Sequence, residues 1–349
     1  MRAKPVSGAT RYRPANPEGG ILMSHQPAPA LDPRERHFRI AGPHPGLDLF
    51  LRFLPAHGPN GRRSPVLYVH GATFPSALSI AHRFDGRSWR DALCAAGFDV
   101  WGLDFQGFGF SGRYPAMEVA ADAHPPLCDA ADASRQVAAA ARFIQDRQGA
   151  TRVSLIAHSW GCIAAGRFAG AYPELVDRLV LFAPICRRPP LRDLPPPGGP
   201  AWRLVTVDDQ WKRFIEDVPD GEAPVLSPDH FADWGQRYLD SDPGSRGRDP
   251  AAVKIPAGPT IGIVRAWLGD YPWDPALVRA PVAIIRGEWD GLVPDADAAW
   301  LFRALRQSPV KRDVKLGRGT HLMHFEDSRF ALWQASVGFL QGADGAPSA

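Results

Sequence analysis

The sequence predicts an α/β domain, a mostly parallel central sheet with flanking helices, into which a helical segment is inserted. Three observations predict it. Short apolar runs of strand length, from "PVLYV" (65–69) to "LVLFA" (179–183), alternate with helical stretches, the pattern of parallel strands buried on both faces. After Pro184 the alternation stops, and residues 186–278 carry many prolines together with five of the chain's eleven tryptophans. It then resumes at "PVAIIRG" (281–287).

Taken in order, "HFRI" and "LDLFLRFL" read as an opening antiparallel hairpin, with Leu47, Leu49, Leu51 and Phe53 alternating onto one face. "PVLYV" follows. A helix over residues 87–96 stops at Gly97, before the strand "FDVWGLD". The next helix, 129–148, sets Val137, Ala141 and Ile144 on one stripe, and Gly149 suits its C′ position. "VSLIA" (153–157) and "LVLFA" complete the first set of strands. Within 186–278 no strand pattern of equal quality appears; "AWRLVTVDDQWKRFIEDV" and "DHFADWGQRYL" read as irregular helices of a cap, and Pro195 to Pro197 mark a break. The last elements are the strand "PVAIIRG", a helix at 294–306, the strand "KRDVKL" and a closing helix at 328–340. The resulting division is an extension at 1–34 rich in Pro, Gly and polar residues and expected to be disordered, a core in two parts (35–185 and 279–341), the insertion (186–278) and a flexible tail (342–349). Met23 is an alternative start of translation, and Arg2, Lys4, Arg11 and Arg13 leave a targeting role for the extension open.

With 349 residues, 45% of them hydrophobic, the chain can bury a sizeable core. Its formal charge of +3 comes from 40 basic and 37 acidic residues that are interspersed, so neither nucleic acid nor a membrane surface is the expected partner. A small-molecule substrate is. The run Ile21-Leu22-Met23 is too short to span a membrane. Cys94, Cys128, Cys162 and Cys186 lie far apart without a CxxC pair, which fits reduced thiols in a cytoplasmic protein. Oligomeric state has no signature.

The chemistry centres on Ala157-His158-Ser159-Trp160-Gly161, placed between a strand and a helix. Two readings fit: Ser159 caps the helix, or it is a nucleophile thrust up by a tight turn that demands small residues two positions to either side. A nucleophilic Ser needs a base and a carboxylate to orient that base. Asp290 follows the strand "PVAIIRG" and His321 follows "KRDVKL", so all three groups stand just after strands. Glu288 and His324 are the alternatives, placed less well because Glu288 belongs to the strand end and His324 to the next helix. His321 and His324 lack a third ligand at zinc spacing, so no metal is expected. An oxyanion would be met by the N–H of Trp160 and by one from "HGATF", Ala72 first and Thr73 as the alternative. Gly107 to Gly112 fits G-x-G-x-x-G, but Phe108, Phe110 and Pro115 do not suit a helix opening on a pyrophosphate, so no dinucleotide cofactor is expected.

With "HGAT", "DFQGFGFSG", "AHSWG", "GEWDGLVP" and "GTH" in register, the chain resembles the α/β-hydrolase superfamily over residues 36–340. The first Gly of G-x-S-x-G is replaced by Ala157. The resemblance implies a structural role for Asp104, a cap at 186–278, and a Ser159-Asp290-His321 triad in the style of cap-bearing esterases and lipases. Ser159 argues against branches whose nucleophile is Asp. Aromatic residues Phe74, Phe105 and Trp289 suggest a small to medium apolar substrate. An acyltransferase, a serine aminopeptidase using Glu216 or Glu222 to bind an amine, and a non-catalytic small-molecule binder remain as alternatives.

Overall fold

The structure, a computed structural model, describes residues 28–57, 65–189 and 198–342. Strands β1 (Arg36–Ala41) and β2 (Asp48–Leu54) form the opening antiparallel hairpin. β3 (Val66–Val69), α1 (Trp89–Ala95), β4 (Val100–Asp104), α2 (Ala130–Gln148), β5 (Val153–His158), α3 (Gly161–Ala171) and β6 (Val176–Phe182) follow. Capping sets the helix limits where the sequence places them. Ser88 and Asp91 make a reciprocal capping box at α1, Asp129 caps α2, and Gly149 ends α2 in the left-handed region at φ +62°.

After β6 the described chain leaves the sheet. It forms β7 (Trp202–Thr206), α4 (Val207–Ile215), α5 (Pro228–Asp240), β8 (Ala252–Pro256) and α6 (Gly258–Trp267) before returning through β9 (Val282–Gly287), α7 (Asp295–Ala304), β10 (Lys311–Leu316) and α8 (Arg329–Leu340). The eight-stranded sheet runs β1-β2-β4-β3-β5-β6-β9-β10, antiparallel at β1, β2 and β4 and parallel from β4 onward. α1 packs with α8 and α2 with α3 against this sheet. Every parallel strand except β10 and part of β6 is buried along its length, which is why each reads as a continuous apolar run.

Three expectations need correction. The insertion is not purely helical, because β7 and β8 pair as an antiparallel ribbon. Their partners lie far apart in sequence, so no local turn signal announces them, and Thr206 with Asp209 switches strand to helix through a capping box. β2 is buried on both faces, since Arg52 is fully enclosed opposite Leu49 and Leu51 and pairs with the buried Glu35. Within the expected extension, residues 28–34 are ordered by Asp32, which accepts hydrogen bonds from Arg34 and Arg83 while Arg83 also reaches Leu31 O. Residues 1–27, with Ile21 to Met23, Pro195 to Pro197 and the tail from 343 lie outside the described residues. Among the described residues, no helix is long and apolar enough to cross a membrane.

The insertion's exit segment lies on α3 because Gly166 leaves room: a Cβ there would stand 2.6 Å from the Trp273 ring. Gly166→Ala is expected to lower stability by about 1–3 kcal/mol in urea unfolding. Gly338→Ala in α8, where a Cβ meets nothing within 4 Å, is expected to raise it by about 0.5–1 kcal/mol.

Candidate active site

β5 ends at His158 and α3 begins at Gly161, leaving two residues for the reversal. Ser159 makes it with φ at +56°, a left-handed conformation that an L-residue adopts at a cost of about 1–2 kcal/mol. Small neighbours permit it. A Cβ on Gly161 would lie 2.3 Å from His70 O and 2.8 Å from Val69 O, so any other residue there would force α3 away from the end of β3. Ala157 is fully buried, and the Ser159 N–H donates to Phe182 O at 2.9 Å. The helix-cap reading of Ser159 fails: Trp160 holds the N-cap position, and the Ser159 hydroxyl turns elsewhere.

It meets His321. Ser159 Oγ and His321 Nε2 lie 2.8 Å apart, and His321 Nδ1 lies 3.0 Å from each oxygen of Asp290. All three groups are nearly enclosed, at 6%, 3% and 4% exposure for Ser159, His321 and Asp290. Asp290 is further fixed by the Leu292 N–H, which donates to its Oδ1 at 3.0 Å. The loops carrying Asp290 and His321 touch backbone to backbone, because a Cβ on Gly287 would sit 2.0 Å from Gly319 O. Neither alternative enters this chain of contacts. Glu288 is exposed and accepts from the Arg318 N–H, while the His324 ring packs against Phe325 and His158. Both ring nitrogens of His321 are engaged, by Ser159 and Asp290.

The loop after β3 is held by His70, the first residue of "HGAT". His70 is fully buried; its Nδ1 lies 2.8 Å from Gly71 O, and its Nε2 lies 3.0 Å from the Phe105 N–H. Burial pushes its pKa down to about 4. The ring is therefore neutral, with its proton on Nδ1 facing Gly71 and a bare Nε2 accepting from Phe105. A Cβ on Gly71 would stand 3.3 Å from Ser159 Cβ, so the segment leading to Ala72 and Thr73 starts directly beside Ser159. Opposite it, the Trp160 N–H opens α3, where the helix dipole favours negative charge.

The expected substrate aromatics divide. Phe74 stands at the site: its ring centroid is 6.5 Å from His158 and 5.3 Å from Trp234 of α5, so it joins the core to the insertion. Phe105 is fully buried, edge-on to His70 and Trp160, and acts as packing. The Trp289 ring lies under the Arg318 guanidinium at 5.1 Å. Glu216 and Glu222, the amine-binding candidates, are paired with Arg213 and Arg318 at 2.7 and 3.1 Å. α6 presses on Trp160 through Gly262, where a Cβ would lie 2.6 Å from Trp160 Nε1. Phe214 of α4 and Trp234 of α5 close with Phe74 and Phe325 above His324.

The loop carrying His321 is braced from two sides. Glu326 accepts the Thr320 N–H at 3.0 Å and also bonds the Thr320 hydroxyl, which in turn accepts from the Leu322 N–H. His158 Nε2 lies 3.1 Å from His321 O. The spacing of Glu326 from His321 carries no signal unless the loop geometry is known. Asp104 braces the Gly107 to Gly112 loop: it accepts from Ser76 and from the Phe110 N–H, and a Cβ on Gly109 would meet Asp104 Oδ2 at 2.3 Å.

Compared with known proteins, residues 64–328 match a family model described as the alpha/beta hydrolase fold. No curated protein sequence matches the chain. Among solved structures, similarity extends to a thermophilic esterase from Thermogutta terrifontis, 19% identical over 88% of this chain and 99% of that one, with a TM-score of 0.52. The thioesterase domain from the curacin biosynthetic pathway is 14% identical over 88% of this chain and 99% of that one, at a TM-score of 0.58. A monoacylglycerol lipase of Paleococcus ferrophilus is 18% identical over 84% of this chain and 98% of that one, at 0.52.

Burial pushes the Glu326 carboxyl up to about 7, against the opposing hydrogen bonds from Thr320. A raised carboxyl pKa gives stability that is full below its unfolded value of 4.5 and lost as pH rises through 7. At about 1.4 kcal/mol per unit, the loss is on the order of 3 kcal/mol. Urea unfolding at pH 5 and pH 8 should show this difference in the wild type and a smaller one in Glu326→Gln; equal pH slopes in both would contradict it.

Proposed function

The chain belongs to the α/β-hydrolase family, and from that premise we propose that it is a serine hydrolase cleaving ester or related acyl bonds of small to medium apolar substrates. One observation carries the reading: the Ser159 hydroxyl within 2.8 Å of an imidazole whose other nitrogen faces Asp290. Ser159 Oγ attacks the acyl carbonyl while His321 Nε2 takes its proton, and Asp290 stabilises the imidazolium that forms. The carbonyl oxygen becomes an oxyanion, met by the N–H groups of Trp160 and of Ala72, with Thr73 as the alternative donor. Collapse expels the alcohol, which leaves with the proton from His321. Water, deprotonated by the same imidazole, then attacks the acyl-enzyme and frees the acid and Ser159.

The expected substrate preference rests on the apolar surroundings of the site. Phe74, beside His158, packs on Phe214 and Trp234 of the insertion, a setting that favours an apolar acyl or alcohol group. On this reading the insertion is a cap that sequesters the reaction from water. The four cysteines are free and buried, which supports a cytoplasmic setting.

Hydrolysis of p-nitrophenyl esters of rising chain length tests the proposal. Wild-type protein should turn over an ester from this series, and Ser159→Ala and His321→Ala should each reduce kcat by about 10⁴-fold or more. Either variant retaining near wild-type turnover would remove its residue from the mechanism. The preferred chain length reports the pocket the cap encloses.

A further inference from the structure

His158, the residue before Ser159, has a contact that the hydrolytic steps do not use. Its ring is buried at 2% exposure, and its Nε2 lies 3.1 Å from the backbone carbonyl of His321. A carbonyl only accepts, so Nε2 carries a proton. The ring orientation is set by stacking on Phe182 at the end of β6, with centroids 4.7 Å apart and planes 18° from parallel. On its other side, Nδ1 faces Gly71, where a Cβ would come within 3.2 Å. The strand that carries the nucleophile is thereby tied to the loop that carries the base.

That loop is also held from behind. Glu326 binds Thr320 through both its N–H and its hydroxyl, one residue before His321. Thr320 and the His321 carbonyl are thus both anchored, and the imidazole between them must meet Ser159 and Asp290 together. We propose that His158 is a positioning residue: its Nε2–H, donated to His321 O, holds the His321 ring in register between Ser159 and Asp290. The proposal rests on the serine-hydrolase reading for its kinetic consequence and on geometry alone for its tautomer. The groups facing His158 are His324 and His321 from the loop after β10 and Arg213 from α4, whose charges disfavour charge on it, while its hydrogen bond to the His321 carbonyl favours it. Burial lowers its pKa well below the ordinary value, so the ring is neutral and its second nitrogen is bare.

Two measurements test the proposal. Long-range ¹H–¹⁵N NMR of histidine-labelled protein, assigned with His158→Gln, should show His158 as the neutral Nε2–H form without titration from pH 5 to pH 8. An Nδ1–H form, or titration within that range, would overturn the proposal whether or not the protein hydrolyses esters. Kinetically, a displacement of about 1 Å at a reacting group costs about 10²-fold. His158→Leu should therefore lose about 10²-fold in kcat with little change in KM, while His158→Gln, which can place an amide N–H near Nε2, should recover to within about tenfold of wild type. Equal losses in folded Leu and Gln variants, or a Leu variant with wild-type kcat, would refute it. If His158→Leu does not fold, His158→Gln decides by itself, a folded protein reduced about 10²-fold counting against the proposal. A wild type that hydrolyses no ester refutes the serine-hydrolase reading instead, and the tautomer then decides the contact.

Discussion

The left-handed backbone at Ser159 is the constraint around which the sheet edge is arranged. An L-residue at φ +56° is strained, and such strain persists only where its surroundings over-determine it. Here Gly161 lets α3 start against the carbonyls of Val69 and His70, and the Ser159 N–H is taken by Phe182. A larger residue at 161 would separate β3 from α3 and move the loop through Ala72 away from the hydroxyl. The Oγ leaves the turn toward His321, on the loop after β10, which the loop after β9 holds through Asp290.

Electrostatic economy follows from burial. Histidines 70, 158 and 324 all lie near Ser159, and burial holds each one's pKa below its ordinary value. They act as neutral, shaped hydrogen-bonding or packing groups. Under the proposed function, charge that develops during acyl transfer then falls on His321, where the Asp290 carboxylate can answer it. On that proposal, keeping the neighbouring imidazoles uncharged avoids like-charge repulsion with an imidazolium at His321.

Much of this architecture is legible in the sequence, for physical reasons that also explain the gaps. Strands buried on both faces leave apolar runs, and glycine and capping residues mark their helices, so β3 to β6 and α1 to α3 stand out. The meeting of Ser159, Asp290 and His321 is legible because each follows a strand, and parallel strands deliver their carboxyl ends to one edge. The β7–β8 ribbon was not, since its pairing bridges a long stretch of chain, and the pattern of Trp202–Thr206 merges into α4. An aromatic residue after a strand looks alike in sequence whether it faces ligand or core, and Phe105 faces the core. His158 and Glu326 gain their meaning only once the loop after β10 is folded back onto β5.

Under the proposed function this geometry makes one hydroxyl, that of Ser159, an activated nucleophile. Intact-mass spectrometry after exposure to a fluorophosphonate, followed by peptide mapping, measures that property without knowledge of the substrate. The account predicts a single phosphonyl adduct on the peptide containing Ser159, absent from Ser159→Ala. Folded wild-type protein that takes up no label, or carries it on another residue, would contradict it.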